Sequence, residues 1–160
     1  MGRPTQRMLS LLKRIPLFLL ATCGGSKASG GADVACDEPA TIQVVAQGLQ
    51  HHKGEVRVAL FESGEGFPGE PEKSLQQGIA TLEGETASFE FQPVPCGRYA
   101  VSVFHDENGD GVMQRDWLGR PKEGWGVSRD ARGRFGPPSF DDSAFEAEGE
   151  TLSVRLNLQY

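Results

Sequence analysis

The sequence lacks the features that mark several common functional classes. Its 16 Lys and Arg are scattered among 22 Asp and Glu, which gives a formal net charge of -6. Phosphate binding needs clustered basic side chains that displace counterions, so nucleic acid is excluded as a partner. The sequence also lacks the H-E-x-x-H, G-x-S-x-G, P-loop and glycine-rich nucleotide motifs, and we therefore expect a protein that is not an enzyme.

Long apolar runs are absent as well, and the one short run predicts export. Basic residues at positions 3, 7, 13 and 14 precede an apolar stretch from Ile15 to Thr22, which is the order of an export signal. That stretch is far shorter than the roughly 20 residues of a membrane-spanning helix. Residues 1–35 are therefore predicted to be a signal peptide, or a lipoprotein signal plus a flexible tether, and residues 36–160 a single domain. We expect the protein in the bacterial periplasm or cell envelope, lipid-anchored there, or secreted.

Cysteine is scarce, with three residues in the chain. Leu20–Cys23 resembles a lipoprotein box, in which a lipidated Cys23 tethers the protein to a membrane; a plain secretory cut after Ala28 is the alternative. Either processing leaves Cys36 and Cys96. An oxidising compartment would let these two form a disulfide, which would stabilise the fold by roughly 3 to 5 kcal/mol.

Alternation of apolar and polar residues dominates the rest of the chain. Two such runs, before and after the break at Gly48–Gly54, predict the two strands of a β-hairpin. Further short runs follow at residues 78–82, 87–91, 98–104, 144–147 and 152–158. These runs, with Gly and Pro turns between them, predict an all-β fold: an antiparallel immunoglobulin-like or transthyretin-like sandwich of about seven strands.

One long segment, from Glu107 to Asp142, shows no strand or helix pattern. It far exceeds the ~4 to 6 residues of a typical connection, and segments of this kind are usually functional, ordered by their own contacts, or disordered. We expect it to form one long ordered loop.

The stretch HDENGDG, from His105 to Gly111, lies at the entrance of this loop. Asp106, Asn108 and Asp110 alternate and are followed by a glycine, the spacing in which oxygen side chains converge on a hard cation such as Ca²⁺. The alternative is a turn whose polar side chains bond their own backbone, without a metal.

A calcium site would need further ligands, because three side-chain oxygens fall short of the 6 to 8 that Ca²⁺ prefers. Val112 would offer its backbone carbonyl and Asp116 its carboxylate. Glu107 and Glu123 are additional candidates. An EF-hand loop has a bidentate Glu at the position that Trp117 occupies here, and this chain lacks the flanking helices, so the similarity is to half of that motif.

His105 raises a third interpretation, a hydrolase that uses His105 with Asp106 or Glu123. Neighbouring residues on a strand point to opposite faces, which counts against direct action of Asp106 on His105. A structural histidine that is hydrogen-bonded into the long loop is the alternative. His51 and His52 lie in a predicted turn without metal-ligand spacing.

The long loop also holds Trp117 and Trp125. Exposed tryptophans could stack on sugar rings or bind a peptide, with an envelope protein or a glycan as the partner. Alternatively, the aromatic residues fold the loop onto the edge of the sandwich and form a small core there.

Four blocks of sequence carry a family resemblance: Gly97–Val101, FHDENGDG, Leu118–Ser128 and Gly136–Phe145. In this order they resemble the bacterial family known as domain of unknown function 2141. The resemblance covers residues 41–160 and implies an exported β-sandwich protein with no established activity. The chain departs from the family at Gln114, where the family usually has Asp, and Asp116 is the substitute carboxylate.

Overall fold

The computed structural model describes residues 38–160. The predicted signal, Cys23 and Cys36 lie outside these residues, so export, lipidation and the Cys36–Cys96 disulfide stay predictions. No helix in the described part of the chain is long and apolar enough to cross a membrane.

The described residues form an all-β fold, as the alternating pattern predicts. Helical structure is limited to 3-10 turns at Pro71–Lys73 and Ser128–Asp130 and to one α-helical turn, α1 (Phe140–Ser143). The eight strands are β1 (Ala40–Gln47), β2 (Glu55–Phe61), β3 (Gln76–Glu83), β4 (Thr86–Val94), β5 (Gly97–Asp106), β6 (Trp125–Val127), β7 (Phe145–Ala147) and β8 (Thr151–Asn157).

The strands form one mixed sheet in the order β6-β5-β2-β3-β4-β1-β8, and β7 pairs with β5 beside this path. The pair β1 and β8 is parallel, and the other described pairs are antiparallel. Beyond β8 the sheet almost closes on itself, because Trp125 and Gln159 exchange two backbone hydrogen bonds of 2.9 and 2.8 Å. The architecture is therefore a nearly closed barrel or sandwich.

The predicted hairpin of the first two strands is wrong. β1 pairs with β4 and β8, whereas β2 pairs with β3 and β5. The connection between β1 and β2 crosses from one side of the barrel to the other instead of turning back. Alternation of apolar and polar residues predicts a strand and its buried face, but it does not predict which strands pair with it in the sheet.

The core fills the interior of this barrel with alternate residues of the strands. In β1, every second residue from Ala40 to Ala46 is buried, and the even-numbered residues of β2 are buried in the same way. In β5, Tyr99, Val101 and Val103 face the core, as the alternating pattern predicts. On the opposite faces of β2 and β5, Arg57, Ser102 and Phe104 are partly exposed, whereas Phe61 and Ala100 are buried.

The long segment 107–142 is not free of regular structure, contrary to expectation. It contains β6, the second 3-10 turn and part of α1. Both β6 and α1 are single short units of three and four residues. Runs of this length give no detectable period in a sequence, which is why the pattern missed them.

Candidate functional site

A groove of about 990 Å³ runs across the outer face of β3, β2, β5 and β6. Its floor includes outward residues of paired strands, since Arg57 lies opposite Phe104 and Ala59 opposite Ser102. Trp125, which pairs with Phe104, continues the floor into β6. Its walls come from residues in the segments 68–72, 111–115, 118–121 and 136–137. The groove therefore unites four strands and three loops.

The lining of the groove is mainly apolar, with cations at one part of its wall. Ile79, Val112 and Leu118 are each at least half exposed, so they would lose contact with water if a ligand filled the groove. Arg115 and Arg120 lie on the same wall as Leu118. A groove with these properties suits a ligand that has an apolar body and a negative group.

The HDENGDG stretch folds into a turn around Asp106, which is fully buried. Oδ1 of Asp106 accepts hydrogen bonds from the amides of Gly109 and Asp110, at 2.8 and 3.2 Å. Oδ2 accepts from the Gly111 amide at 2.8 Å and from Nε of Arg57 at 3.1 Å. Both oxygens of this carboxylate are thus fully engaged by protein donors.

The next two polar residues of the stretch continue the same pattern. Oδ1 of Asn108 accepts from the Asp110 amide at 2.9 Å, and Oδ1 of Asp110 accepts from the Val112 amide at 2.8 Å. The hydrogen bond from the Val112 amide is the main cause that holds the pKa of Asp110 below its usual value. Partial desolvation opposes it, and the amide side chains of Asn108 and Gln114 and the charge of Arg57 add smaller lowering effects. Asp110 is therefore ionised at neutral pH.

The remaining predicted calcium ligands bond other parts of the loop. Oδ1 of Asp116 accepts from the amides of Leu118 and Arg120, both at 2.9 Å. Buried Glu123 joins two parts of the loop, because its oxygens accept hydrogen bonds from the amides of Glu107 at 3.1 Å and Gln114 at 2.8 Å.

These contacts favour the turn without a metal, since backbone amides occupy the oxygens that would have to coordinate an ion. Glycine is required at two points of the turn, as Gly109 and Gly111 have φ of 74° and 76°. Calcium binding by Asp106, Asn108, Asp110, Val112 and Asp116 stays a prediction.

His105 lies on the opposite side of β5 from Asp106, as strand alternation predicts. Its ring is fully buried, with Nδ1 2.7 Å from the Tyr160 hydroxyl and Nε2 2.8 Å from the Lys53 carbonyl. The carboxylates of Asp106 and Glu123 bond the loop instead. The arrangement for a hydrolase, in which one of these carboxylates orients His105, is not formed among the described residues.

A second cluster, which the sequence did not indicate, surrounds His105. Nε2 of His51 lies 3.1 Å from Oε2 of Glu107, and the rings of His51 and Tyr160 lie 6.2 Å apart. Burial and the nearby Glu107 charge raise the pKa of Tyr160, against a hydrogen bond from the Gln50 amide. His105 and Glu107 are two residues apart, so on an extended strand both side chains point to the same face. This spacing was the only indication in the sequence that the two side chains could lie together. His51 is distant in sequence, so no spacing rule connects it to them.

The two tryptophans of the long loop have different environments. Trp125 is partly buried and lines the groove. Trp117 is 90% exposed and is not part of the groove lining. Phe140 packs edge-on against Phe67, with ring centroids 6.0 Å apart, whereas Phe135 is fully exposed. The aromatic residues therefore neither form one loop core nor present a paired tryptophan platform in the groove.

Cys96 lies at the turn between β4 and β5. Its sulfur is 3.4 Å from the carbonyl oxygen of Glu38, which follows Cys36 by two residues. This position is compatible with the predicted disulfide, whose other half lies outside the described residues.

Fold and site together define a class of protein: an all-β, nearly closed barrel with a groove on its outer surface. The chain belongs to a bacterial family, domain of unknown function 2141, described as an uncharacterized protein conserved in bacteria, whose model matches residues 44–155. This range extends from β1 into β8 and confirms the resemblance noted in the sequence. No curated protein and no solved structure shows a significant match to the chain.

Proposed function

We propose that the protein is an exported, non-enzymatic binding module of the bacterial cell envelope. Its groove takes an anionic amphiphile, a small ligand with an apolar body and one negative group. The observation that carries this proposal is the groove itself, at about 990 Å³ and with half-exposed apolar side chains on its lining. Small-molecule sites have volumes of roughly 300–1,000 Å³ and are mostly apolar with a few placed polar groups.

The charged residues of the lining favour a ligand that carries a negative charge. Three arginines and one acidic residue, Glu72, line the groove. Arg57 is already paired with Asp106 and Glu55, each at 3.1 Å. Arg115 bonds the Gly119 carbonyl, which leaves its positive charge uncompensated, and Arg120 forms no ion pair within the described residues. Arg115 and Arg120 therefore offer two positive charges on one wall of the groove that complement an anion.

Two further observations support a binding role without chemistry. Both ring nitrogens of His105 are engaged by hydrogen bonds, and the acidic groups proposed as its partners are bonded to loop amides. Export is supported by the leader pattern of basic residues followed by the apolar stretch at Ile15–Thr22.

The test is a fluorescence titration of the purified full chain with 1-anilinonaphthalene-8-sulfonate, which is an apolar ring system with one sulfonate. We expect saturable binding of one equivalent, at least tenfold tighter than binding of the neutral analogue N-phenyl-1-naphthylamine. Trp125→Ala and Arg120→Glu should each weaken sulfonate binding several-fold, because they remove part of the floor and reverse one wall charge.

Trp117→Ala is the matched control, since it removes an indole that lies outside the groove lining. Equal loss in the Trp117 and Trp125 variants, or equal affinity for the two dyes, would refute the groove proposal. Cooperative thermal unfolding of each variant establishes that the barrel is intact.

A further inference from the structure

One side chain from the connection between β1 and β2 meets two from the end of β5 at one end of the barrel. His51 lies in the connection between β1 and β2, His105 lies in the last part of β5, and Glu107 follows β5. One ligand atom from each lies within 4.8 Å of those of the other two. Imidazole nitrogens and a carboxylate oxygen are a ligand set that zinc and related divalent ions accept. We propose that His51, His105 and Glu107 bind a divalent transition-metal ion of the zinc class.

His105 has the protonation pattern of a metal ligand. The Lys53 carbonyl can only accept a hydrogen bond, so the Nε2 of His105, 2.8 Å away, carries the ring hydrogen. The other nitrogen, Nδ1, then has a free electron pair and accepts from the Tyr160 hydroxyl at 2.7 Å. A backbone carbonyl that fixes one nitrogen while the other faces a metal is the usual outer-shell arrangement of a ligating histidine.

His51 and Glu107 already lie at the spacing of two ligands of one ion. The Nε2 of His51 is 3.1 Å from Oε2 of Glu107, close to the roughly 3.4 Å between neighbouring ligand atoms of a tetrahedral zinc shell. With Nε2 on the ion, the ring hydrogen lies on Nδ1, which is buried and has no hydrogen-bond partner within the described residues.

Glu107 supplies the negative charge that a divalent ion requires. Its Oε2 lies beside Nε2 of His51, so this carboxylate is in reach of an ion that the imidazole binds. The rings of His51 and His105 lie 5.4 Å apart and are tilted by 49°. Two imidazoles and one carboxylate give three protein ligands and leave a position for water or a small anion.

The cluster must contract slightly to hold zinc. Bonds of about 2.0–2.1 Å in a tetrahedral shell place neighbouring ligand atoms about 3.4 Å apart, so movements on the order of 1 Å are needed. His51 and Glu107 can move by this amount because their side chains are 41% and 25% exposed. The ion would take the place of the Tyr160 hydroxyl at Nδ1 of His105.

The test is calorimetric titration of zinc chloride into the tag-free full chain. We expect one equivalent of Zn²⁺ per chain, with protons released as the ligands bind, and a higher midpoint of thermal unfolding in the presence of zinc. His51→Ala and Glu107→Gln should each weaken zinc binding at least tenfold. The glutamine variant keeps the side-chain size and part of the polar contacts, so it is informative even if the alanine variant folds poorly.

His52→Ala is the matched control, because His52 is the exposed neighbour of His51 and is outside the cluster. It should bind zinc as the wild type does, and Asp110→Asn in the HDENGDG turn should do the same. The metal proposal fails if the wild type binds no zinc, or if His51→Ala and Glu107→Gln bind it with wild-type affinity. This proposal is independent of the groove, which lies on the outer face of the sheet.

Discussion

Asp106 shows how one buried carboxylate organises a loop. Four donors surround it, namely three backbone amides of the turn and the Arg57 guanidinium. Burial of a charge is costly unless each electron pair is engaged, and here hydrogen bonds and one ion pair engage both oxygens. The exposed neighbours Asn108 and Asp110 each accept a hydrogen bond from the amide two residues further along the same turn.

Replacement of Asp106 by Ala should destabilise the protein by about 1.5–3 kcal/mol, because three loop amides and the partly exposed Arg57 lose their common charged acceptor. Asn108→Ala, which removes one exposed acceptor, should cost about 1 kcal/mol or less. Urea unfolding of both variants measures the difference. The wild-type midpoint should be equal in EDTA and in millimolar Ca²⁺; a calcium-dependent rise that Asp110→Ala abolishes would instead establish the predicted calcium site.

At the scale of elements, the closure of the barrel depends on a close approach between β6 and the end of β8. A Cβ atom at Gly126 would lie 2.8 Å from Cδ1 of Leu156 and 2.9 Å from the carbonyl oxygen of Asn157. The three-residue strand β6 can therefore lie against β8 only with glycine at its centre.

Gly126→Ala should destabilise the fold by about 1–3 kcal/mol, because the added methyl group forces β6 and β8 apart. Gly136→Ala is the control, as a Cβ there meets no atom within 4 Å and the φ of Gly136 is not positive. Amide hydrogen exchange at Trp125 and Gln159 should accelerate in the Gly126 variant alone. Unchanged exchange and unchanged unfolding would show that the contact does not close the barrel.

The elements also show what could be predicted from the sequence. The alternating runs that became β1 to β5 and β8 were detectable because each has a buried and an exposed face. The pairing of β1 with β4 and β8, instead of β2, depends on contacts between distant segments, which no local pattern contains. The cluster of His51, His105 and Glu107 was missed for the same reason, as the crossover at Gly48–Gly54 brings His51 to β5.

At the scale of the whole molecule, the barrel separates two surfaces with different chemistry. Its outer face presents an apolar groove with two arginines on one wall, and one end of the barrel holds two histidines and a glutamate. The alternation of β5 produces this separation, since Phe104 points to the groove and His105 to the interior.

The stability of the fold at alkaline pH depends on Tyr99. Burial raises the pKa of its hydroxyl above the usual value of 10.0, with a smaller contribution from Glu62, and the hydroxyl donates to the Pro95 carbonyl. The folded state therefore holds this proton more tightly than the unfolded state. Its contribution to stability is complete below pH 10 and is lost as the pH rises through the higher pKa of the folded state.

Unfolding free energies between about pH 8 and 12 should consequently fall with a steeper slope for the wild type than for Tyr99→Phe. The phenylalanine variant keeps the ring in the core and removes only the titrating group. Parallel slopes for the two proteins would show that the Tyr99 proton has no part in alkaline unfolding.

Binding of an anionic amphiphile in the groove is tested most directly by NMR, which maps the residues that the ligand contacts. The labelled full chain would be titrated with an anionic amphiphile such as decyl sulfate, below its micelle concentration, and amide shifts recorded. We predict saturable shifts at Ala59, Phe104 and Gly126 on the groove floor, with Gly84 and Trp117 unchanged. Shifts confined to Trp117 or to other exposed positions, or the same floor shifts with neutral decanol at equal affinity, would contradict the account.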